Sequence, residues 1–173
     1  MELKNKIRSI NDYPKEGIIF RDITTLLRDK DAYKEAMDQL AVKAREFNPD
    51  IIMGVEARGF IIGSVLAYIL GCGFVPVRKP GKLPFEKIEE CYGLEYGSDC
   101  LELHTDALEK GEKVLIIDDL LATGGTSKAS ANLVERLGGE VTGFLFLVEL
   151  VGLGGRDRLN GYKVESVLKF EEN

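Results

Sequence analysis

The sequence is short of the residues that build metal centres and nucleophilic active sites. Of its 173 residues one is a histidine and three are cysteines, and the cysteines form no C-x-x-C pair. Zinc sites made of histidine and cysteine, and Ser–His or Cys–His catalysis, are therefore not expected. Positive charge is also scarce, because 23 lysines and arginines face 29 acidic residues, a net charge of −6. Sequence-independent binding to nucleic acid needs a basic face, so we expect no nucleic-acid partner.

The three cysteines, Cys72, Cys91 and Cys100, are scattered along the chain. A disulfide framework usually shows an even number of cysteines, so we predict three reduced thiols that act as packing residues. The first residues lead into no apolar run of the kind found in secretory signals. Together these features predict a cytoplasmic protein.

One uncharged stretch, residues 59–77, is about long enough to span a bilayer. Gly71, Gly73 and Pro76 divide it, however. We therefore predict a buried helix over Phe60–Leu70, followed by a core strand over Phe74–Val77, and no membrane partner.

The rest of the chain, with 45% apolar residues, alternates between helical spacing and short apolar runs. Helices are predicted over Asp31–Phe47, Phe60–Leu70 and Thr126–Leu137, and strands over Ile51–Val55, Phe74–Val77, Val114–Ile117 and Val141–Val148. Near-continuous apolar strands between helices indicate an α/β fold, a parallel sheet covered by helices. The middle differs, because Glu86–Glu95 and Ser98–Thr105 predict an inserted antiparallel hairpin.

The most informative segment follows the strand Val114–Ile117. Two acids, Asp118 and Asp119, come first, and a turn of small residues then opens a helix: Ala122, Thr123, Gly124, Gly125 and Thr126. Backbone N–H groups at a helix N-terminus bind phosphate well, and glycines let the backbone approach it. The segment lacks both G-x-x-x-x-G-K-[ST] and G-x-G-x-x-G, so neither a Walker A loop nor a dinucleotide site is supported.

The acid pair has a separate predicted task. Carboxylates close to a bound phosphate can accept hydrogen bonds from the vicinal hydroxyls of a ribose. The plain alternative is a tight Thr-Gly-Gly turn after a solvated strand end. The order of strand, acid pair, threonines and helix favours the phosphate site.

This segment resembles the phosphoribosyl diphosphate signature of the type I phosphoribosyltransferases. The resemblance implies that Asp118 and Asp119 hold the ribose hydroxyls and that residues 122–126 hold the 5′-phosphate. It also implies the family fold, a single domain over residues 1–173 in which a hairpin and flexible lid are inserted at about residues 79–105. Mg²⁺ is implied as a cofactor that arrives bound to phosphoribosyl diphosphate, and a homodimer is usual in the family.

Further segments resemble the adenine-specific members of the family and together cover nearly the whole chain: Gly17–Thr24, Gly54–Phe60, Arg78–Pro84, Tyr92–Gly97 and Leu147–Arg156. The resemblance implies that adenine stacks on Phe20 and pairs with backbone groups around Ile19 and Arg21. It implies that Glu95 assists proton removal from the adenine ring. The implied reaction joins adenine to the phosphoribosyl group and yields AMP and diphosphate.

Departing diphosphate should meet cations. Those available are Arg58, at a strand-to-helix turn, and the cluster Arg78, Lys79 and Lys82. With Glu95, Arg58 is the predicted catalytic pair. One residue departs from the family pattern, since Phe85 stands where members often carry glycine or arginine, which affects the contacts that close the lid.

Two other functions are open at this stage. The same fold could serve hypoxanthine, guanine or xanthine, although the Tyr92–Gly97 segment argues against a 6-oxopurine. The chain could also be a purine-responsive regulator that binds ligand without turnover. Such a regulator should carry a DNA-binding module, and the stretch before Gly17 is too short for one, while the acidic pI of about 5.0 also argues against it.

Overall fold

The helices and strands come from a computed structural model, which describes residues 2–94 and 97–171. The helices are α1 (Thr24–Arg28), α2 (Lys30–Arg45), α3 (Arg58–Leu70), α4 (Gly125–Arg136) and α5 (Gly155–Arg158). The strands are β1 (Arg8–Asn11), β2 (Ile19–Asp22), β3 (Ile51–Val55), β4 (Gly73–Val77), β5 (Lys87–Leu94), β6 (Gly97–His104), β7 (Lys113–Leu121), β8 (Glu140–Leu150) and β9 (Val164–Phe170).

The centre of the fold is a five-stranded parallel sheet in the order β4-β3-β7-β8-β9. Its strands are apolar on both faces because helices cover both. On β7, Leu115 and Ile117 pack in a cluster with residues of α2 and α3, whereas Val114 and Ile116 pack in a second cluster with residues of α4. The predicted α/β architecture is confirmed.

Helix α2 begins where the sequence supplies a cap. The side chain of Asp29 accepts hydrogen bonds from the backbone N–H groups of Asp31 and Ala32, both at 3.1 Å. Helix α3 ends at Gly71, whose φ of 71° is the left-handed conformation that glycine adopts readily. At 13 residues α3 is too short to cross a membrane, and among the described residues no helix is long and apolar enough to do so.

Close packing of α3 on the sheet sets the position of its first turn. A Cβ atom on Gly54 would lie 2.7 Å from the Phe74 ring, and one on Gly59 would lie 3.0 Å from Asp118 Oδ1. The absence of these side chains lets α3 approach β3 and β7. Arg58, the residue before Gly59, is therefore placed beside the acid pair.

Several elements were not predicted. They are the β1–β2 hairpin, α1, α5 and β9, together with the last residues of β7. Strand β7 continues past the acid pair because Leu120 and Leu121 pair with Val148 and Glu149 of β8. Pairing with a neighbouring strand, which a local apolar pattern does not report, decides how far a strand extends.

The predicted inserted hairpin is present, as strands β5 and β6 form a separate antiparallel sheet. In its register Cys91 lies opposite Cys100, with their Cα atoms 4.0 Å apart, and the two residues form a disulfide. The prediction of three reduced thiols is therefore wrong for this pair. Its physical reason is the hairpin register, which brings together two cysteines that are unremarkable in sequence spacing. Cys72 remains a free, half-buried thiol.

Candidate active site

A cavity of about 490 Å³ lies where β3 and β7 end, beside the hairpin and the start of α4. This is the edge at which parallel α/β sheets bind ligands. Five of the predicted site residues line it, namely Arg58, Lys79, Asp118, Asp119 and Thr126. The rest of its lining comes from Glu56, Ala57, Pro80, Tyr92, Ser98, Asp99, Cys100, Leu101 and Leu120.

Arg58 and Asp119 form an ion pair across the base of this cavity. Nε of Arg58, in the first turn of α3, lies 2.7 Å from Oδ2 of Asp119 on β7. The Asp119 side chain is only 6% exposed, and its Oδ2 accepts no well-aligned hydrogen bond from the described residues. The positive charge of Arg58 therefore stabilises the buried carboxylate of Asp119 at the base of the cavity.

Asp118 lies next to this ion pair, and its pKa is shifted from the ordinary value. Burial and then the negative charge of Asp119 raise the pKa of Asp118 well above its ordinary value. The backbone N–H of Asp119 donates to Asp118 Oδ1 at 2.8 Å. Two adjacent carboxyl groups facing one cavity offer two acceptors, which matches the two donors of a vicinal diol.

The predicted phosphate loop leads into α4. The N-cap residue is Gly124, with φ of 83°, and no described side chain caps the helix there. The first N–H groups of α4 are thus available to an anion, with the helix dipole in the favourable direction. Thr126 faces the cavity, and its hydroxyl shares a hydrogen bond of 2.8 Å with the hydroxyl of Tyr92 on β5. Ala122 and Thr123 precede the helix, and Gly125 begins it.

The predicted cations collect around Glu56, an acid that the sequence analysis did not single out. Nε of Arg78 lies 3.4 Å from Glu56 Oε2, and the backbone N–H of Lys79 donates to the same oxygen at 2.7 Å. Although burial acts to raise it, these groups and the charge of Lys82 hold the pKa of Glu56 below its ordinary value. Arg78 is therefore paired with Glu56, whereas Lys79 and Arg58 line the cavity.

Phe20, the predicted adenine platform, lies on β2 close to Arg58. The Arg58 guanidinium is 5.5 Å from the centre of the Phe20 ring, and Tyr13 contacts the same ring edge-on at 5.3 Å. Ile19 and Arg21 flank it on β2, and Arg21 stacks over Phe170 at 4.3 Å. These three residues are outside the described lining of the cavity and adjoin it through Arg58.

Segment β2 is held by polar contacts at its end. Asp22 accepts hydrogen bonds from Thr24 and from Arg8 of β1, and these lower the pKa of Asp22 to about 2. The carboxylate therefore stays ionised at neutral pH and keeps β2, with Phe20, paired to β1.

Glu95, the predicted proton acceptor, lies outside the described residues. Described residues on both sides of it, Tyr92 on β5 and Ser98 and Asp99 on β6, line the cavity. Sequence reasoning missed these side chains, and the signal that could have found them was the predicted hairpin itself, which follows the cation cluster.

Phe85 contacts the hairpin. Its backbone N–H donates to His104 Nε2 at 3.3 Å, and the two rings meet edge-on with centres 6.1 Å apart. The side chain remains exposed. At this position, therefore, the unusual residue packs on the one histidine of the chain.

Comparison with known proteins agrees with this geometry. The family model for the phosphoribosyl transferase domain matches residues 22–169. The chain is 57% identical to an adenine phosphoribosyltransferase of Ruminiclostridium cellulolyticum over 98% of this chain and 100% of that one, and 55% identical to one of Desulfitobacterium hafniense over 98% of each.

Solved structures of adenine phosphoribosyltransferases are also similar to this chain. The adenine phosphoribosyltransferase of Thermoanaerobacter pseudethanolicus superposes with a TM-score of 0.94 at 54% identity, covering 98% of each chain. The enzyme of Saccharomyces cerevisiae, complexed with D-2,5-dideoxy-2,5-imino-altritol 1,6-bisphosphate and adenine, gives 0.88 at 40% identity, covering 95% of this chain and 96% of that one. Because the family model covers most of the chain and these relatives match it over nearly their whole length, the chain belongs to the adenine phosphoribosyltransferases, within the phosphoribosyltransferase family.

Proposed function

We propose that the chain transfers the 5-phosphoribosyl group from phosphoribosyl diphosphate to adenine, giving AMP and diphosphate in purine salvage. The observation that carries the proposal is one cavity in which the acid pair Asp118–Asp119, the cation Arg58 and the uncapped start of α4 come together. The acid pair matches the ribose hydroxyls, Arg58 matches the diphosphate, and the start of α4 matches the 5′-phosphate. The yeast relative, which was crystallised with a bisphosphate and adenine, supports the same ligand classes.

In the proposed reaction, N9 of adenine forms a bond to C1 of the ribose while the bond from C1 to the diphosphate oxygen breaks. The N9 proton passes to a base, for which we propose Glu95. Asp118 and Asp119 would form hydrogen bonds with the ribose hydroxyls, and the negative charge of Asp119 would favour positive charge developing on the sugar. Negative charge gathers on the leaving diphosphate, where Arg58 and Lys79 would stabilise it.

Mg²⁺ would arrive bound to phosphoribosyl diphosphate and would offset the charge of the diphosphate. The lining of the cavity fits such a group because Glu56, Asp99, Asp118 and Asp119 offer carboxylate oxygens, the donors that Mg²⁺ prefers. Residues 122–126 would hold the 5′-phosphate, with Arg78 and Lys82 at the diphosphate side.

The direct test is incubation of the protein with phosphoribosyl diphosphate, Mg²⁺ and single bases, with nucleotide product measured by chromatography. Adenine should give AMP, and hypoxanthine, guanine and xanthine should give far less product, because backbone pairing around Phe20 would leave a 6-oxo group unpaired. Turnover of 6-oxopurines without adenine would contradict the proposal. Tight purine binding without any product would favour the regulator instead.

We also propose that the enzyme is a homodimer. The outer face of α3 carries Tyr68, which is 89% exposed, together with Ile61 and Ile69 at 41% and 37%. Exposed apolar residues grouped on one helix face are typical of protein interfaces. Sedimentation analysis should give twice the 19.2 kDa chain mass, and Tyr68→Glu should shift it toward monomer. A wild-type monomer at micromolar concentration would contradict the proposal.

A further inference from the structure

An ion pair between the buried Glu149 and the half-buried Arg156 lies next to the predicted phosphate loop and is outside the described lining of the cavity. Glu149, near the end of β8, is 3% exposed. Its Oε1 accepts from Arg156 Nε at 2.6 Å, and its Oε2 accepts from Arg156 Nη2 at 2.9 Å. Ser166 of β9 donates to the same Oε2 at 2.5 Å. The carboxylate is thus held by three donors in a bidentate, charge-assisted arrangement.

Arg156 joins three elements. It lies within α5, pairs with β8 through Glu149, and donates from Nη1 to the carbonyl of Val164 at the start of β9 at 2.8 Å. Helix α5 has only four residues, so its own backbone hydrogen bonds cannot hold it in place. Leu159, directly after α5, is fully buried in the core, and the guanidinium of Arg156 ties α5 to β8 and β9.

The start of α5 in turn touches the phosphate loop. A Cβ atom on Gly155 would lie 2.5 Å from the carbonyl oxygen of Ala122, and one on Gly124 would lie 2.8 Å from the carbonyl oxygen of Gly155. These backbones are therefore in direct contact, with no side chain between them. A displacement of α5 would therefore also displace residues 122–124.

We infer that Arg156, Glu149 and Ser166 are positioning residues for the 5′-phosphate loop. They act through α5, because the backbone of Gly155 contacts the backbone of Ala122 and Gly124. The inference rests on the proposed function, in which residues 122–126 hold the phosphate. It assigns a role in sugar-phosphate affinity to residues that do not touch the substrate.

The test separates positioning from plain stability through the two Michaelis constants. Arg156→Gln and Glu149→Gln should raise KM for phosphoribosyl diphosphate about tenfold, the loss expected from a charged hydrogen bond. KM for adenine and kcat should change less than about twofold, since the base site is elsewhere. A purely structural role would reduce the fraction of folded enzyme, which lowers apparent kcat and leaves both KM values unchanged.

Two further variants keep the ion pair, and the milder of them, Ser166→Ala, guards against misfolding. Gly155→Ala would put a methyl group 2.5 Å from the Ala122 carbonyl oxygen, which must displace residues 122–124, and should give the same selective rise in KM. Ser166→Ala removes one of the three donors and should raise KM about threefold. The matched control is Glu165→Gln, which breaks the ion pair of 3.0 Å between β9 and Lys43 of α2 and should leave both KM values unchanged.

The possible results are distinct. Unchanged KM for phosphoribosyl diphosphate in Gly155→Ala and Glu149→Gln, or an equal change in Glu165→Gln, would overturn the inference. If the wild-type protein forms no AMP, the proposed function fails, and calorimetry with ribose 5-phosphate still decides the inference. Affinity for ribose 5-phosphate should then be about tenfold weaker in Glu149→Gln, and equal affinity would overturn it.

Discussion

Replacing Asp119 with asparagine is expected to weaken the binding of Mg²⁺–phosphoribosyl diphosphate about 30-fold, and replacing both Asp118 and Asp119 about 1,000-fold. Each carboxylate is proposed to accept a ribose hydroxyl, and a hydrogen bond to a charged group contributes about 1.5–3 kcal/mol. Asp118 and Asp119 both line the cavity, and Asp119 is held there by its ion pair with Arg58 at 2.7 Å.

The direction of the change in affinity distinguishes a lost hydrogen bond from an altered electrostatic potential. Asparagine removes negative charge next to Arg58, so simple electrostatics would strengthen the binding of an anionic substrate. Weaker binding would therefore report the lost hydroxyl acceptors and not the altered potential. Calorimetric titration without adenine measures the affinity directly. Asp106→Asn, at an exposed acid after β6, is the matched control, and unchanged affinity in Asp119→Asn would refute the ribose role.

The second large effect is expected at Glu95. Glu95→Gln should lower kcat about 100-fold, which is typical when a general base is removed. KM for adenine should change by less than about threefold, because glutamine keeps the size and hydrogen-bonding capacity of the side chain. The prediction rests on the resemblance of the Tyr92–Gly97 segment and on the described residues of both hairpin strands that line the cavity.

Steady-state kinetics with saturating phosphoribosyl diphosphate would measure this change. Rapid-quench measurement of the first turnover separates chemistry from product release, so a slow release step cannot mask the loss. Glu86→Gln, an exposed acid just before β5, is the control and should leave kcat unchanged. A normal first-turnover rate in Glu95→Gln would remove Glu95 from the mechanism.

The local features of the site were readable from the sequence. The apolar run before Asp118 predicted a strand of a parallel sheet, and the small residues after it predicted the start of α4, which the structure places at Gly125. These predictions succeed because strand, turn and helix N-terminus each depend on residues a few positions apart. The roles of the individual site residues stay predictions that the variants above would test.

Contacts between distant segments were not readable. The pairing of Arg58 with Asp119 exists because β3 lies beside β7 in the sheet and the small residues at Gly54 and Gly59 let α3 approach. The cluster around Glu56 and the disulfide between Cys91 and Cys100 arise in the same way, from neighbours across strands. Nothing in the spacing of these residues along the chain indicates such proximity.

The single histidine and the acidic net charge led us to predict phosphate binding by backbone N–H groups, which stays a prediction, whereas the inference of reduced cysteines was wrong for Cys91 and Cys100. By itself the sequence determined four of the five strands of the sheet, the three long helices and the order of acids and small residues, since these follow from local periodicity. Only the tertiary structure decided which cation meets which acid, that two cysteines join, and that Arg156 pairs with Glu149 next to residues 122–124. The physical reason is that charge pairing and close packing depend on distance in space, which strand order sets.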